Sequence, residues 1–145
     1  SVKTLSVRVE KQFENAGIIA KWLDTNSKVT RVIYPGLQSH KQFDLAKKQH
    51  SSPDGNPVYG SMISFELDNS INLDSFAKNL SIITLAESLG GVKSLISCPY
   101  SMTHASVPHE EKTELGITPN LLRFSVGIEH ADDLISELDY AMNHN

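Results

Sequence analysis

The chain has one cysteine, Cys98, among 145 residues. An internal disulfide framework is therefore excluded, and so is a zinc site built on cysteine thiolates. Basic residues are not in excess: 13 Lys+Arg stand against 17 Asp+Glu, for a formal net charge of −4. A nucleic-acid surface requires the opposite balance, with Lys and Arg clustered. No apolar run approaches the roughly 18–20 residues of a membrane-spanning helix, and no signal-peptide pattern opens the chain. Repeats and low-complexity tracts are missing. Catalytic signatures are sparse too. There is no Gly-x-Gly-x-x-Gly or Walker lysine to cradle a phosphate, and no Gly-x-Ser-x-Gly elbow. Six histidines are present (His40, His50, His104, His109, His130, His144). None forms a His-x-x-x-His or His-Glu-x-x-His pair, so no metal site is expected. His104 has Cys98, Ser101 and Thr103 nearby, but cysteine is usually buried and inert, and no hydrolase motif surrounds the hydroxyls. These absences leave a soluble, cytoplasmic chain with the length of one domain and enough apolar residues, 39%, for a core.

The elements read from periodicity. Val2, Leu5, Val9, Phe13, Ala16, Ala20 and Leu23 fall at helical steps of three and four, which predicts one long amphipathic helix to about Asp24–Asn26. Residues 29–34 read as a strand ended by Pro35-Gly36, and 40–48 as a short polar helix. Residues 51–57 are the most loop-like stretch. From Tyr59 to Asp68 the alternation is regular, with Ile63, Phe65 and Leu67 on one side and Met62, Ser64 and Glu66 on the other. Asn72 or Asp74 suits a cap for a helix carrying Phe76, Ala77, Leu80 and Ile83. Strands are expected at 84–89, 92–97 and 121–126. Pro108 fits the first turn of a short helix, and Asp132 and Asp133 open a last one. This order predicts an α+β domain, a small, mostly antiparallel sheet with helices packed mainly on one face.

Two local patterns stand out. In Thr84–Gly91 a polar Glu87-Ser88 pair precedes Gly90-Gly91, a pairing that marks a sharp turn or a close approach to backbone. In Leu121–Gly127 an arginine, Arg123, sits among large apolar residues. A buried guanidinium needs a partner, because an isolated buried charge is prohibitively costly. Spacing alone leaves two options open, a carboxylate of the protein or an anionic ligand. Arginine's planar, two-toothed geometry suits the α-carboxylate of an amino acid.

Specific runs of residues resemble one family. Thr84–Ile96, Met102–Ser106, Leu115–Thr118 and Leu122–Glu129, with Lys3-Thr4-Leu5, Arg8, Asn15-Ala16, Val32–Gly36, Ser39-His40 and Met62–Leu67, are similar to the C-terminal third of the pyridoxal-phosphate (PLP) enzymes of cysteine and methionine metabolism. These are the cystathionine γ-synthases, γ-lyases and β-lyases and the methionine γ-lyases. The resemblance implies the C-terminal domain of a fold-type I, aminotransferase-like subunit, cytoplasmic and tetrameric in the parent enzyme. It implies that Arg123 binds the substrate α-carboxylate and that Ser88 helps hold it. Glu87 would face the distal end of the substrate, and Thr103 would line the active-site wall. In the family the cofactor lysine lies in a Ser-x-x-Lys segment followed by Gly-His, in a larger domain that comes first. None of the ten lysines here lies in that context.

The resemblance therefore implies one domain over residues 1–145, without the PLP-binding large domain. The expected substrate is a sulfur amino acid, and the expected partner is the chain's own N-terminal domain. Alone, the chain is expected to bind no cofactor and turn nothing over. The Glu87–Gly91 stretch points to the γ-synthase/γ-lyase branch rather than to β-lyases or methionine γ-lyases. A different class of reading stands beside this one: a free-standing binding or assembly domain with the same fold and no chemistry.

Overall fold

The regular alternation at 62–67 and 121–125 builds the centre of the molecule. In the computed structural model, which describes residues 2–144, a 3-10 turn at Val2–Thr4 leads into α1 (Leu5–Thr25). Then come β1 (Val29–Ile33), α2 (Phe43–Gln49), β2 (Met62–Leu67), α3 (Leu73–Lys78) and β3 (Thr84–Leu85). The chain ends with β4 (Leu95–Ser97), α4 (His109–Glu114), β5 (Leu121–Ser125) and α5 (Ala131–Asn143). The strands form one sheet in the order β1-β2-β5-β4-β3. Three pairings are antiparallel, and the edge pair β3–β4 is parallel. This is the expected α+β architecture.

Period-2 alternation divides the two faces of the sheet. Ile63 pairs with Phe124 and Phe65 with Leu122 across β2 and β5. These four are buried with Leu67 and Ile96 against Ala16, Ile19, Ala20 and Leu23 of α1 and Leu134, Leu138, Ala141 and Met142 of α5. The opposite face carries Ser64, Glu66 and Arg123. It has too few large apolar groups to hold a second layer, so the helices gather on one side.

Four expectations need correction. Val2 and Leu5, placed on the inward face of the first helix, are exposed. The elements that α1 meets are β1, β2 and α5, and its burial begins only at Gln12, so the first turns have nothing to pack on. The helix capped by Asn72, whose Oδ1 accepts from the Ser75 amide at 2.9 Å, stops at Lys78. Leu80 and Ile83 lie beyond it, because the amides of 81–83 bond a glutamate on α5 rather than the preceding turn. The strands expected at 84–89 and 92–97 shrink to two and three residues, and 86–94 becomes a loop. Pro108 is the N-cap of α4 and not part of its first turn.

Phe124 is fully enclosed at the centre of the sheet. Phe124→Ala is expected to destabilise the fold by about 3–5 kcal/mol. Urea denaturation measures this, and a loss below about 1 kcal/mol would contradict the placement of the core.

Candidate functional site

Arg123 occupies the middle of β5, opposite Ser64 on β2 and Ser97 on β4. Alternation directs it away from the helix-covered core. Its two lateral neighbours are both serines, too small to cover a guanidinium. The side chain is half-buried, and its Nη2 donates to the carbonyl of Glu87 at 3.2 Å. Among the described residues the ion pairs join Lys11 to Glu14, Arg31 to Glu66 and His130 to Asp132. None involves Arg123. A single neutral carbonyl satisfies one of the five guanidinium donors and leaves the charge without a counter-ion. Beside it the Ser97 Oγ is buried with no hydrogen-bond partner.

The loop 86–94 brings the carbonyl of Glu87 to this arginine, and Ser88 follows it in the loop. Gly90 turns the loop with φ +73°, a left-handed conformation that favours glycine. Its amide donates to Ser125 Oγ at 2.9 Å, and the Gly91 carbonyl accepts from Gln12 Nε2 at 2.6 Å. These two side chains come from outside the loop, from β5 and α1. Glu87 and Ser88 are both exposed.

A polar knot closes the far end of the loop. The Glu129 carboxylate accepts from the Ser94 amide at 2.7 Å and from the Ser94 hydroxyl at 2.9 Å. Ser94 Oγ in turn accepts from the Gly127 amide at 2.9 Å. The buried Asn15 donates through Nδ2 to the carbonyls of Gly127 and Glu129, at 3.1 and 2.7 Å. Two carbonyl acceptors admit only the amide NH₂ there, which settles the orientation of the Asn15 side chain. A Cβ at Gly127 would lie 2.5 Å from the Val92 carbonyl oxygen and 2.6 Å from the Lys93 carbonyl carbon, both backbone atoms. Only glycine permits that approach.

The near end is held by Glu137 of α5. Its Oε1 accepts from the Ser81 hydroxyl and the Ile82 amide, each at 2.7 Å, and also from the Ser81 amide. Its Oε2 accepts from the Ile83 amide at 2.8 Å. Burial pushes this carboxyl up, but the Ser81 hydroxyl and the three amides outweigh burial and hold it below the usual carboxylate range.

Thr103, also expected at the site, is exposed in the turns between β4 and α4. Its Oγ1 shares a hydrogen bond with His104 Nδ1 at 2.9 Å, and no bond links it to Arg123. Lys112 props these turns. Its Nζ donates to the Ala105 carbonyl at 3.4 Å and lies 4.3 Å from the centre of the Tyr100 ring. Lys78, the lysine with a serine three positions before it, is exposed in the last turn of α3. No hydrogen bond links either lysine to Arg123. Among the described residues no three His, Cys, Asp or Glu side chains converge on a metal position. No helix is long and apolar enough to cross a membrane. A recess of about 630 Å³ between α1 and residues 52–59 holds none of the four expected site residues. Arg123 is thus a cation on the open face of the sheet, bonded to a carbonyl of the loop 86–94.

Sequence reasoning missed Gln12, Asn15, Ser94, Ser97, Glu129 and Glu137. The bonds from Gln12 and Asn15 span 79 to 114 residues and leave no local spacing. Asn15, Ser94 and Glu129 did carry one signal, since all three lie inside the runs that resemble the family.

Comparison with known proteins gives a consistent set of matches. The family described as Cys/Met metabolism PLP-dependent enzyme matches residues 1–143. Mouse cystathionine γ-lyase is 47% identical over 142 residues, covering 97% of this chain and 34% of that protein. A Lactococcus lactis cystathionine β-lyase is 48% identical over 141 residues, covering 97% of this chain and 36% of that protein. The structure of Lactobacillus plantarum cystathionine γ-lyase complexed with L-serine superposes with a TM-score of 0.88 at 38% identity, over 98% of this chain and 36% of that one. Xanthomonas oryzae cystathionine γ-synthase in complex with cystathionine superposes with a TM-score of 0.86 at 41% identity, over 97% and 35%. The chain thus spans about a third of the length of the relatives it matches, and it corresponds to their C-terminal part.

Two outcomes follow from the loop anchors. Gly127→Ala is expected to cost about 1–3 kcal/mol and to speed amide exchange at 92–94, as read by hydrogen exchange; unchanged exchange would contradict the close approach. Because the folded carboxyl of Glu137 lies below its ordinary value of 4.5, its stabilisation is complete above that pH and is lost as pH falls through the folded value. Glu137→Gln should lower stability at neutral pH and flatten the acid limb of a stability–pH curve. A parallel curve would refute the anchor.

Proposed function

The chain belongs to the Cys/Met metabolism PLP-dependent enzyme family, and we propose that it is the substrate-carboxylate-binding domain of a cytoplasmic cystathionine γ-synthase or γ-lyase. The observation that carries this reading is Arg123: a half-buried guanidinium on the open face of the sheet, bonded to a carbonyl of the loop above it and to no carboxylate. An amino acid's α-carboxylate supplies the missing counter-ion in the planar geometry that arginine favours. Ser88 completes the carboxylate site, Glu87 faces the far end of the substrate, and Thr103 lines the wall.

Pyridoxal phosphate, when bound, is the electron sink for loss of the α-proton and for breaking the C–S or C–O bond. The residues of this chain do not assemble a place for its imine or its phosphate. We assign those to the chain's own N-terminal domain, the two thirds of the relatives' length that this chain does not span, and assembly into a homotetramer to the complete protein. The role left to the chain is orientation. A carboxylate clamped at Arg123 fixes one end of the substrate and points the rest past Glu87, and fixed geometry of this kind lowers the entropic part of the barrier. Taken alone the 145 residues turn nothing over. Assignment to the γ-synthase/γ-lyase branch rests on the Glu87–Gly91 sequence, and it places β-lyase and methionine γ-lyase activities second.

In the complete, cofactor-loaded protein, Arg123→Ala is expected to weaken substrate binding by about 2–5 kcal/mol. The Michaelis constant for L-cystathionine should rise far more than the melting temperature falls. An unchanged constant would refute the role.

A further inference from the structure

Resting on that reading of Arg123, we propose that Glu129 and Glu137 are positioning residues, a pair of carboxylate anchors that stretch the segment 81–94 across the sheet edge so that Glu87 and Ser88 sit over the arginine. The segment has little of its own to hold it. β3 is two residues long and pairs only with the three-residue β4, at the rim of the sheet. A ladder that short fixes neither the height nor the register of a loop. The two ends are instead fixed by side chains. Glu137 gathers the Ser81, Ile82 and Ile83 amides and the Ser81 hydroxyl at one end. Glu129 takes the Ser94 amide and hydroxyl at the other.

Both glutamates lie directly after Arg123 in the chain, Glu129 beyond the end of β5 and Glu137 within α5. The strand that carries the arginine and the anchors that carry the loop are therefore one continuous piece. Asn15 ties that piece to α1 through the Gly127 and Glu129 carbonyls, and Gly127 lets backbone meet backbone at Val92 and Lys93. Between the anchors, besides the short β3–β4 pairing, the loop is held by Gly90 to Ser125, Gly91 to Gln12, Glu87 to Arg123 and the Val92 carbonyl, which accepts from the Ile128 amide at 3.0 Å. Releasing either end allows Glu87 and Ser88 to lift from the arginine while the core beneath stays closed.

The test uses the complete protein with its cofactor, L-cystathionine as substrate, and amide exchange as a second readout. Glu129→Ala is expected to speed exchange at 88–94 and to raise KM about tenfold or more, with kcat within about threefold of wild type, the pattern left when binding shared by ground and transition states is lost. Glu129→Gln keeps an acceptor for the Ser94 amide and should fall between the two. Glu137→Gln should speed exchange at 81–86 and raise KM as well. A glutamate with only a fold-stabilising role would lower the melting temperature and leave KM alone. If Glu129→Ala does not fold, Ser94→Ala removes the hydroxyl bonds but keeps the amide bond, and carries the same expectation. Unchanged KM and exchange in these variants, with Arg123→Ala still raising KM, would overturn the anchor proposal alone. An unchanged KM in Arg123→Ala would overturn the reading of the site and this proposal with it.

Discussion

The bond pair between Glu129 and Ser94 is the constraint on which the functional half of the molecule depends. A carboxylate that accepts an amide and a hydroxyl from one serine fixes that residue in both position and rotation. The same hydroxyl accepts from Gly127, so the loop before β4 and the turn after β5 are locked through a single oxygen. Asn15 closes the arrangement from α1. With the backbone bond from the Ile128 amide to the Val92 carbonyl at 3.0 Å, these side-chain bonds bring the three elements to one point. The loop that leaves this point passes over Arg123.

The sheet explains why the arginine has a place to act. Helices cover one face because Ile63, Phe65, Leu122 and Phe124 alternate onto it. The other face is left polar, with small serines on either side of Arg123. A charge on such a face keeps part of its hydration and stays open to an anion that reaches it. The Glu87 carbonyl orients the guanidinium without neutralising it. The unpartnered Ser97 hydroxyl lies in the same row. A preoriented cation, an orphaned hydroxyl and a tethered loop together favour a carboxylate ligand over an internal salt bridge.

Much of this was legible in the residues. The periods of α1, β2, β5 and α5 are long and regular, and all four elements stand where periodicity puts them. Arg123 announced itself as a charge in an apolar strand. The strands at 84–89 and 92–97 are overestimated because Leu85, Val92, Leu95 and Ile96 carry strand character, whereas the segment's placement is decided by glutamates later in the chain. Side-chain bonds to distant backbone have no period, so Gln12, Ser94 and Glu137 were invisible to pattern. The first turns of α1 were misjudged for a related reason: an apolar stripe predicts a buried face only where a partner lies against it. Val2 and Val7 remain among the most exposed apolar residues.

The central claim is that Arg123 receives the substrate's α-carboxylate beneath the Glu87–Ser88 loop. A crystal structure of the complete protein soaked with L-cystathionine tests it most directly. The account predicts one carboxylate bound in two-toothed fashion by the Arg123 guanidinium, about 2.7–2.9 Å from its nitrogens, with Ser88 beside it. A bound substrate whose α-carboxylate lies elsewhere, with Arg123 still turned to the Glu87 carbonyl alone, would contradict it.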